Sequence, residues 1–195
     1  MSRIAPVPFE RWDEPTRAAL LGFLRRRELY EGPDARPLPN VLGLLANHGP
    51  LAASWLSFSD ILLARTSLAP RLRELIILRV AWRTRSAYEW LQHTRMGLDA
   101  GLSVAELHAV PAGGRADVWS DLERSLLDAV DQLVDRHTVD DGTWAVLSTH
   151  FDPSQLVEVL FTAGGYLCFA VVANASGLQP DASAEIVDAP ALPSP

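Results

Sequence analysis

Residues 71–83, RLRELIILRVAWR, and residues 86–101, SAYEWLQHTRMGLDAG, decide the fold of this chain. Apolar positions in the first stretch surround nearly the whole circumference of a helical wheel, which is typical of a helix buried in a protein core. The second stretch begins after Thr84 and Ser86, which are both residue types that cap helices, and it ends at Gly101, a natural C′ residue. The two stretches therefore predict two consecutive helices in the core.

The rest of the chain carries helix signals too, and no stretch shows the sustained period-2 alternation of a half-buried strand. Proline is favoured at the first helical position, and Ser, Asn or Asp before it. Ser103 and Glu106 have the spacing of a capping box. The further predicted helices are Asp13 to Arg27 with Pro15 near its start, Asn40 to Asn47 capped by Asn40, Pro50 to Ala64, Trp119 to Arg136, Thr143 to His150 capped by Asp140 or Asp141, and a long apolar helix from Pro153. The sequence predicts an all-α protein.

Length and composition indicate one large domain. The chain has 195 residues, of which 48% are hydrophobic and 21% charged, as in ordinary soluble proteins with a core. We predict a single helical domain over residues 1–178, with its core at about residues 38–178. Residues 179–195 contain four prolines and few large apolar side chains, so they are predicted to form an arm or a disordered tail.

The charged residues and the single cysteine exclude several classes of function. The net charge of −7, from 17 basic and 24 acidic residues, disfavours binding to nucleic acid. All the basic residues are arginine, so a Schiff-base lysine, a pyridoxal-phosphate anchor and a P-loop lysine are excluded. Cys168 stands alone, which leaves no pair for a disulfide, for dithiol redox cycling or for thiolate zinc binding.

The apolar segments predict a cytoplasmic protein with no membrane partner. The first ten residues contain prolines and charges where a secretory signal would be continuously apolar. Val159 to Leu178 is uncharged over about twenty residues, which is long enough to span a bilayer. It contains Gly164-Gly165, Asn174 and Ser176 and lacks flanking basic residues, so we predict a helix buried in protein.

Four residues of the two central helices are candidates for acid/base chemistry. Glu74 lies on an apolar stripe, where a carboxylate is costly to bury without a partner. Ser86, Glu89 and His93 are spaced by three and four residues, so they share one side of the next helix. A carboxylate can hold one ring nitrogen of a histidine and raise the basicity of the other, and this pattern suits proton transfer.

Two ordinary structural interpretations stay open beside this one. Glu74 can form a salt bridge with Arg71 or with an arginine of a neighbouring helix. Glu89 and His93 can be a solvated i,i+4 pair, which contributes only about 0.2–0.5 kcal/mol. No third ligand joins Glu89 and His93 at metal-binding spacing, so no metal site is predicted.

The central helices resemble the carboxymuconolactone decarboxylase family, which also includes the alkylhydroperoxidase AhpD. The resemblance spans about residues 38–178. It rests on residues 72–81 (LRELIILRVA), 88–93 (YEWLQH) and 101–106 (GLSVAE), together with Pro39-Asn40-Val41, Asn47-His48-Gly49-Pro50, Trp144 and Asn174-Ala-Ser-Gly177. It implies an AhpD-like helical bundle that assembles as a homotrimer or homohexamer, with active sites near the contacts between subunits.

The resemblance also carries over residue by residue. Glu74 and His93 fall on the proton-relay glutamate and histidine of the peroxidase branch, whereas Ser86 and Glu89 replace its two redox cysteines. A serine cannot form a disulfide or attack a peroxide as a thiolate does, so thiol-dependent peroxidase activity is the least favoured function.

What the resemblance then implies is decarboxylation or a related proton transfer on a small lactone or carbonyl acid, without a cofactor. His93 is the candidate acid/base, Glu89 or Glu74 its orienting carboxylate, and Ser86 a hydrogen-bond donor. Tyr88 and His48 are predicted to contact the substrate. The alternative is a non-catalytic or regulatory oligomer that keeps the fold and binds a small molecule.

An anionic substrate would be repelled by two ionised glutamates. We therefore expect that one glutamate is protonated or that a nearby arginine offsets the charge. The candidate arginines are Arg79, Arg83 and Arg85.

Overall fold

The computed structural model describes residues 2–22, 24, 30, 37–181 and 187–193, and every regular element within them is helical. The all-α class predicted from the sequence is therefore confirmed. The α-helices are α1 (Glu14–Gly22), α2 (Asn40–Leu45), α3 (Gly49–Ala64), α4 (Pro70–Thr84), α5 (Ala87–Asp99), α6 (Val104–Ala109), α7 (Asp121–Arg136), α8 (Asp141–His150) and α9 (Pro153–Ser176). Short 3₁₀ turns cover Phe9–Arg11, Ala46–His48 and Val110–Arg115.

The chain groups into two compact units, residues 1–65 with 175–184 and residues 66–174 with 185–195. A compact unit need not be an independent domain, so the single domain over residues 1–178 stays a prediction. All four candidate residues of α4 and α5 lie in the second unit.

In the first unit, the N-terminus of α2 is capped by a residue that is distant along the chain. Asn40 was predicted to cap α2, but it is the first residue of that helix. Its backbone N–H donates to the Asp181 carboxylate at 2.7 Å. The Asn40 side chain donates to the carbonyl oxygens of Gln179 and Pro180, each at 3.1 Å. Asp181 thus supplies the acceptor that an N-terminal cap normally supplies locally.

The ends of the first helices also differ from the prediction. Helix α1 ends at Gly22, and the rest of the segment predicted to be helical, up to Arg27, lies outside the described residues except for Leu24. Helix α2 ends at Leu45, and a 3₁₀ turn over Ala46–His48 takes up the remainder of the helix predicted there.

Helix α4 is the centre of the second unit. Residues 74–81 are all buried, and they contribute to two apolar clusters on different sides of the helix. On one side Ile76 and Val80 pack with residues of α7, α8 and α9. On the other side Leu75 and Leu78 pack with Trp90, Leu107 and Leu127. The core helix predicted from its all-round apolar pattern is confirmed.

Local caps set several helix boundaries, as the sequence predicted. Ser103 and Glu106 form the expected capping box of α6, and Asp140 accepts from the Thr143 N–H at the start of α8. Gly101, which follows the end of α5, has a φ of +93°, so glycine suits it best.

Helix α9 is less buried within the chain than predicted. It is long and apolar enough to cross a membrane by length and composition, and it is the single such helix among the described residues. Only 33% of its apolar window is buried. Val157, Phe161 and Val171 are exposed by 50%, 54% and 62%. We call residues 157, 161, 168, 171 and 172 the outer face of α9, because their spacing places them on one side of the helix.

Residues 187–193 of the predicted C-terminal arm pack on the second unit. Val187, Ala189 and Leu192 lie against the apolar cluster that contains Trp90. The indole N–H of Trp90 donates to the Pro190 carbonyl at 3.0 Å. This part of the tail is therefore an arm rather than a disordered segment, while residues 182–186, 194 and 195 lie outside the described residues.

A buried arginine fixes α4 against α7 and the turn before it. Arg79 donates to both carboxylate oxygens of Asp131, at 2.7 and 2.6 Å, and to the carbonyl oxygens of Val110 and Pro111. Gly113, in the same turn, has φ +62° and ψ −149°, and a Cβ there would lie 2.7 Å from the Arg79 guanidinium. Glycine is required for both reasons.

We predict that Gly113→Ala lowers the free energy of unfolding by about 1–3 kcal/mol, because it adds backbone strain and disturbs the Arg79 contacts. Chemical denaturation measures this loss. Gly142→Ala is the matched control, since Gly142 lies in α8, where the nearest atom to an added Cβ is 3.5 Å away. Equal stability of the two variants would contradict the prediction.

Candidate active site

The Glu74 carboxylate and the His93 imidazole form a buried hydrogen-bonded pair between α4 and α5. Glu74 Oε2 lies 2.7 Å from His93 Nδ1, and the two residues are exposed by 0% and 7%. The other carboxylate oxygen, Oε1, accepts from Arg73 Nε at 3.0 Å and from Nη2 at 2.8 Å. Both oxygens of Glu74 are therefore held, and the histidine is fixed through one nitrogen.

The Arg71 salt bridge that was the ordinary interpretation of Glu74 does not form. Arg71 pairs with Glu106 and Glu123 instead. Arg73 was missed as a partner because neighbouring residues on a helix do not usually face each other. Its long side chain bends back to the carboxylate of the next residue.

The second ring nitrogen of His93 is left for other partners. Because Nδ1 is bound to Glu74, Nε2 is the nitrogen that a substrate would meet, and no residue of the described ranges hydrogen-bonds to it. The Tyr166 ring of α9 packs edge-on against the imidazole, with 5.0 Å between ring centroids and 89° between planes. The ring is thus held in position by α4 and by α9.

The side chains of Glu89 and Ser86 are buried at the start of α5. They are exposed by only 1% and 0%. Neither carboxylate oxygen of Glu89 has a hydrogen-bond partner in the described part of the chain, and nor does the Ser86 hydroxyl. Ser86 occupies the cap position of α5, but its hydroxyl makes no capping bond there. Since buried polar groups are almost always paired, these atoms are suited to bind a ligand.

Of the two carboxylates predicted as alternatives to orient the histidine, Glu74 makes the contact. Spacing of i and i+4 places Glu89 and His93 on one side of α5, yet the carboxylate that contacts His93 comes from α4. The packing of two helices, rather than the spacing within one, decides which glutamate holds the ring.

The two carboxylates have opposite pKa shifts. Burial raises the pKa of Glu89 to about 8, and the Ser86 hydroxyl offsets this only in part. Burial would also raise the pKa of Glu74, but His93 and Arg73 more than compensate and hold it below its usual value. Near neutral pH Glu74 is therefore an ionised acceptor and Glu89 a neutral donor, which is the division of roles that acid/base sites use.

Two of the three arginines predicted to offset a substrate charge form salt bridges with aspartates of α7, and the third lies at the end of α4. Arg79 and Arg83 pair with Asp131, and Arg83 also pairs with Asp135. Arg85 has a left-handed backbone, with φ +55°, at the end of α4. The expectation that one glutamate is protonated agrees with the raised pKa of Glu89.

The two residues predicted to contact substrate, Tyr88 and His48, lie in different units of the chain. Tyr88 is buried, and its ring packs against Phe169 at 6.2 Å between centroids. His48 lies in the first unit, where its Nδ1 accepts from the Leu51 N–H at 3.2 Å and caps α3. A substrate contact stays a prediction for both. Tyr166 was missed because its helix has the composition of a core helix, which gave no signal for a site.

The fold and the site define an all-α protein with a buried glutamate–histidine pair and a second, uncharged glutamate. Residues 50–132, which include both glutamates and the histidine, match the model of the carboxymuconolactone decarboxylase family. The resemblance predicted from the sequence is confirmed. No match was found among curated proteins.

Solved structures share the fold at low sequence identity. A peroxidase-related protein from Ralstonia eutropha JMP134, with an alkylhydroperoxidase AhpD core, is 19% identical with a TM-score of 0.72, over 92% of this chain and 93% of that one. A peroxidase-related protein from Silicibacter sp. TM1040 is 19% identical with a TM-score of 0.68, over 91% and 97%. The AhpD-like fold is thus confirmed.

A third similar structure is the debrominase Bmp8, solved as a cysteine-to-alanine variant in complex with 2,3,4-tribromopyrrole. It is 14% identical with a TM-score of 0.70, over 92% of this chain and 91% of that one. Identities this low show a common fold and leave the reaction to be argued from the site itself.

We predict that the stability of the protein falls as the pH rises from about 5 to 8, and that Glu89→Gln removes much of this dependence. Unfolded, Glu89 loses its proton near pH 4.5, whereas in the folded protein it keeps the proton up to about pH 8. The unfolded state therefore binds fewer protons across this range, and the free energy of unfolding declines by up to roughly 5 kcal/mol.

Thermal melts of both proteins at pH 5.5 and pH 9 measure the effect. The exposed Glu14 provides the control, since Glu14→Gln leaves the parental pH dependence in place. A Glu89→Gln variant that loses as much stability as the parent between the two pH values would show that Glu89 is not buried as a neutral acid.

Proposed function

We propose that the protein is an enzyme that decarboxylates a small lactone or carbonyl acid, or moves a proton on one, by acid/base chemistry without a cofactor. The observation that carries the proposal is the pairing of a held glutamate–histidine dyad with a second glutamate whose oxygens are buried and unpaired. Such groups with divergent pKa values are typical of catalytic sites.

In the decarboxylation, the bond between the substrate's carbon skeleton and its carboxylate breaks and carbon dioxide leaves. The electron pair moves to the conjugated carbonyl oxygen, which becomes an enolate. We assign the Glu89 carboxylic acid as the hydrogen-bond donor to that oxygen, because a positioned donor stabilises the charge as it develops. His93 Nε2–H then gives its proton to carbon, and water restores it.

Glu74 supports this step as a positioning residue. Its ionised carboxylate accepts from Nδ1 and fixes the ring, so that Nε2 is the nitrogen that exchanges a proton with the substrate. The neutral state of Glu89 near pH 7 is equally important, since two ionised glutamates would repel an anionic substrate.

The sequence argues against a thiol mechanism. Ser86 and Glu89 stand where the peroxidase branch of the family has cysteines, and Cys168, the single cysteine of the chain, lies on the exposed side of α9. A thiolate nucleophile is therefore not available next to His93 on α5.

We predict that His93→Ala and Glu74→Gln each lower turnover by about 10²–10⁴-fold while the helical fold is retained, because general acid/base groups contribute that much. The test is a screen of carboxylated lactones and β-keto acids for carbon dioxide release, followed by pH–rate profiles. His150→Ala, a change of an exposed histidine, is the matched control.

Parental turnover in both variants would refute the proposed roles. A parent that binds these acids over hours without forming product would instead identify a binding protein on the same fold. Circular dichroism spectra of the variants separate loss of chemistry from loss of fold.

We further propose that the outer face of α9 is an interface between copies of this chain. It is apolar and largely exposed, with Val171 at 62%, and contiguous apolar surface of this kind commonly marks an association site. A trimer or hexamer would bury it, as the family resemblance implies.

We predict that Val171→Glu lowers the mass measured by light scattering towards that of one chain, since it places a charge in the interface. Leu51→Glu is the control, because Leu51 is 60% exposed on α3 and lies outside this face. A parental protein with the mass of one chain, or an unchanged mass in Val171→Glu, would contradict the prediction.

A further inference from the structure

Tyr166 approaches the acid/base site from a part of the chain that the family match does not cover. It lies on α9, whereas the matched region ends at residue 132. Its ring stands edge-on to the His93 imidazole, with centroids 5.0 Å apart. Helix α9 therefore contributes a phenol to a site whose other groups come from α4 and α5.

The environment of Tyr166 keeps its hydroxyl protonated. Burial raises the pKa of the phenol well above its usual value, and the carboxylates of Glu74 and Glu89 raise it further. The phenol is near enough to both carboxylates for their charge to affect it. A phenol that does not ionise acts as a hydrogen-bond donor over the whole working range of pH.

A second hydroxyl, that of Thr162, is buried on the same side of α9. Thr162 lies four residues before Tyr166, so the two side chains share one side of the helix. Thr162 is completely buried, and its hydroxyl has no hydrogen-bond partner among the residues that the structure describes. Buried hydroxyls without partners are unusual in a helix that serves only packing.

The charges and hydrogen-bond donors around His93 indicate which kind of substrate atom the site would bind. Glu74 is ionised, but the Arg73 guanidinium contacts its Oε1 and balances it. Glu89 and Tyr166 are both neutral donors. The site thus has donors in excess of acceptors and no uncompensated negative charge, which favours an oxygen that becomes negative during the reaction.

We propose that Tyr166 is a further catalytic residue, whose phenolic O–H donates a hydrogen bond to the substrate oxygen that becomes an enolate. The substrate class is then carbonyl compounds that react through an enolate, with Tyr166 and Glu89 as the two donors to one oxygen. This inference rests on the proposed function, because it assigns the oxyanion of that same reaction. No bond to Tyr166 forms or breaks in the step.

The experiment uses substituted phenols as enolate mimics that do not react. Binding of 4-nitrophenol and 3,4-dinitrophenol to the full chain is followed by the absorbance that distinguishes phenol from phenolate. We expect the parent to bind the phenolate form, and Tyr166→Phe to bind it about 10–100-fold more weakly, as for the loss of a hydrogen bond to a charged oxygen. The Phe ring keeps the contact with His93.

Tyr30→Phe is the matched control, since it removes a phenol from the first unit and leaves phenolate affinity unchanged. Where turnover is found, Tyr166→Phe is expected to lower kcat with little change in KM, because the donor acts on charge that develops in the transition state. A variant with parental phenolate affinity and parental kcat overturns the inference.

The parent protein tests the inference even if Tyr166→Phe does not fold. A site with two neutral donors binds each nitrophenol as its phenolate, whereas preference for the neutral phenol form overturns the proposal. Phenolate binding that depends on Tyr166 without any turnover would confirm Tyr166 as a donor to a bound oxyanion, and it would remove both the proposed decarboxylase activity and the catalytic role of Tyr166.

Discussion

The structure of the site depends on one buried hydrogen bond, between Glu74 Oε2 and His93 Nδ1. An ionised carboxylate in the core is tolerated only when its oxygens are paired, and Glu74 satisfies both of them, one with His93 and one with Arg73. This requirement fixes the rotation of α4 relative to α5 and determines which ring nitrogen is available. It also leaves Glu89 with no cation beside it, so that burial, offset only in part by the Ser86 hydroxyl, raises its pKa.

The contrast between the two glutamates is what the proposed proton transfer depends on. Identical side chains, fifteen residues apart, serve as acceptor and donor because one has charged partners and the other has none. Tyr166 extends the donor side from a third helix. Catalytic groups on helices with buried contacts are held more rigidly than groups on loops, which suits a reaction that needs defined orientation.

Much of the fold could be predicted from local sequence. Pro50, Pro70 and Pro153 lie at or beside helix starts, and Ser103 with Glu106 forms its box, because these signals act within one turn. The features that the sequence did not predict correctly depend on contacts between segments that are distant along the chain. The start of α2 at Asn40 needs Asp181, and the partner of His93 is decided by helix packing rather than by the spacing of Glu89. Helix α9 was predicted as buried because composition alone cannot tell a core from a surface.

The arm at residues 187–193 has a consequence for how the protein is made. The Trp90 indole, next to Glu89 on α5, finds its acceptor in the Pro190 carbonyl, and the apolar side chains of the arm close over the same cluster. These residues come after α4 and α5 in chain order, so translation adds them later. Helix α5 can form and pair with α4 first, and its outer side is completed only when the arm has been made.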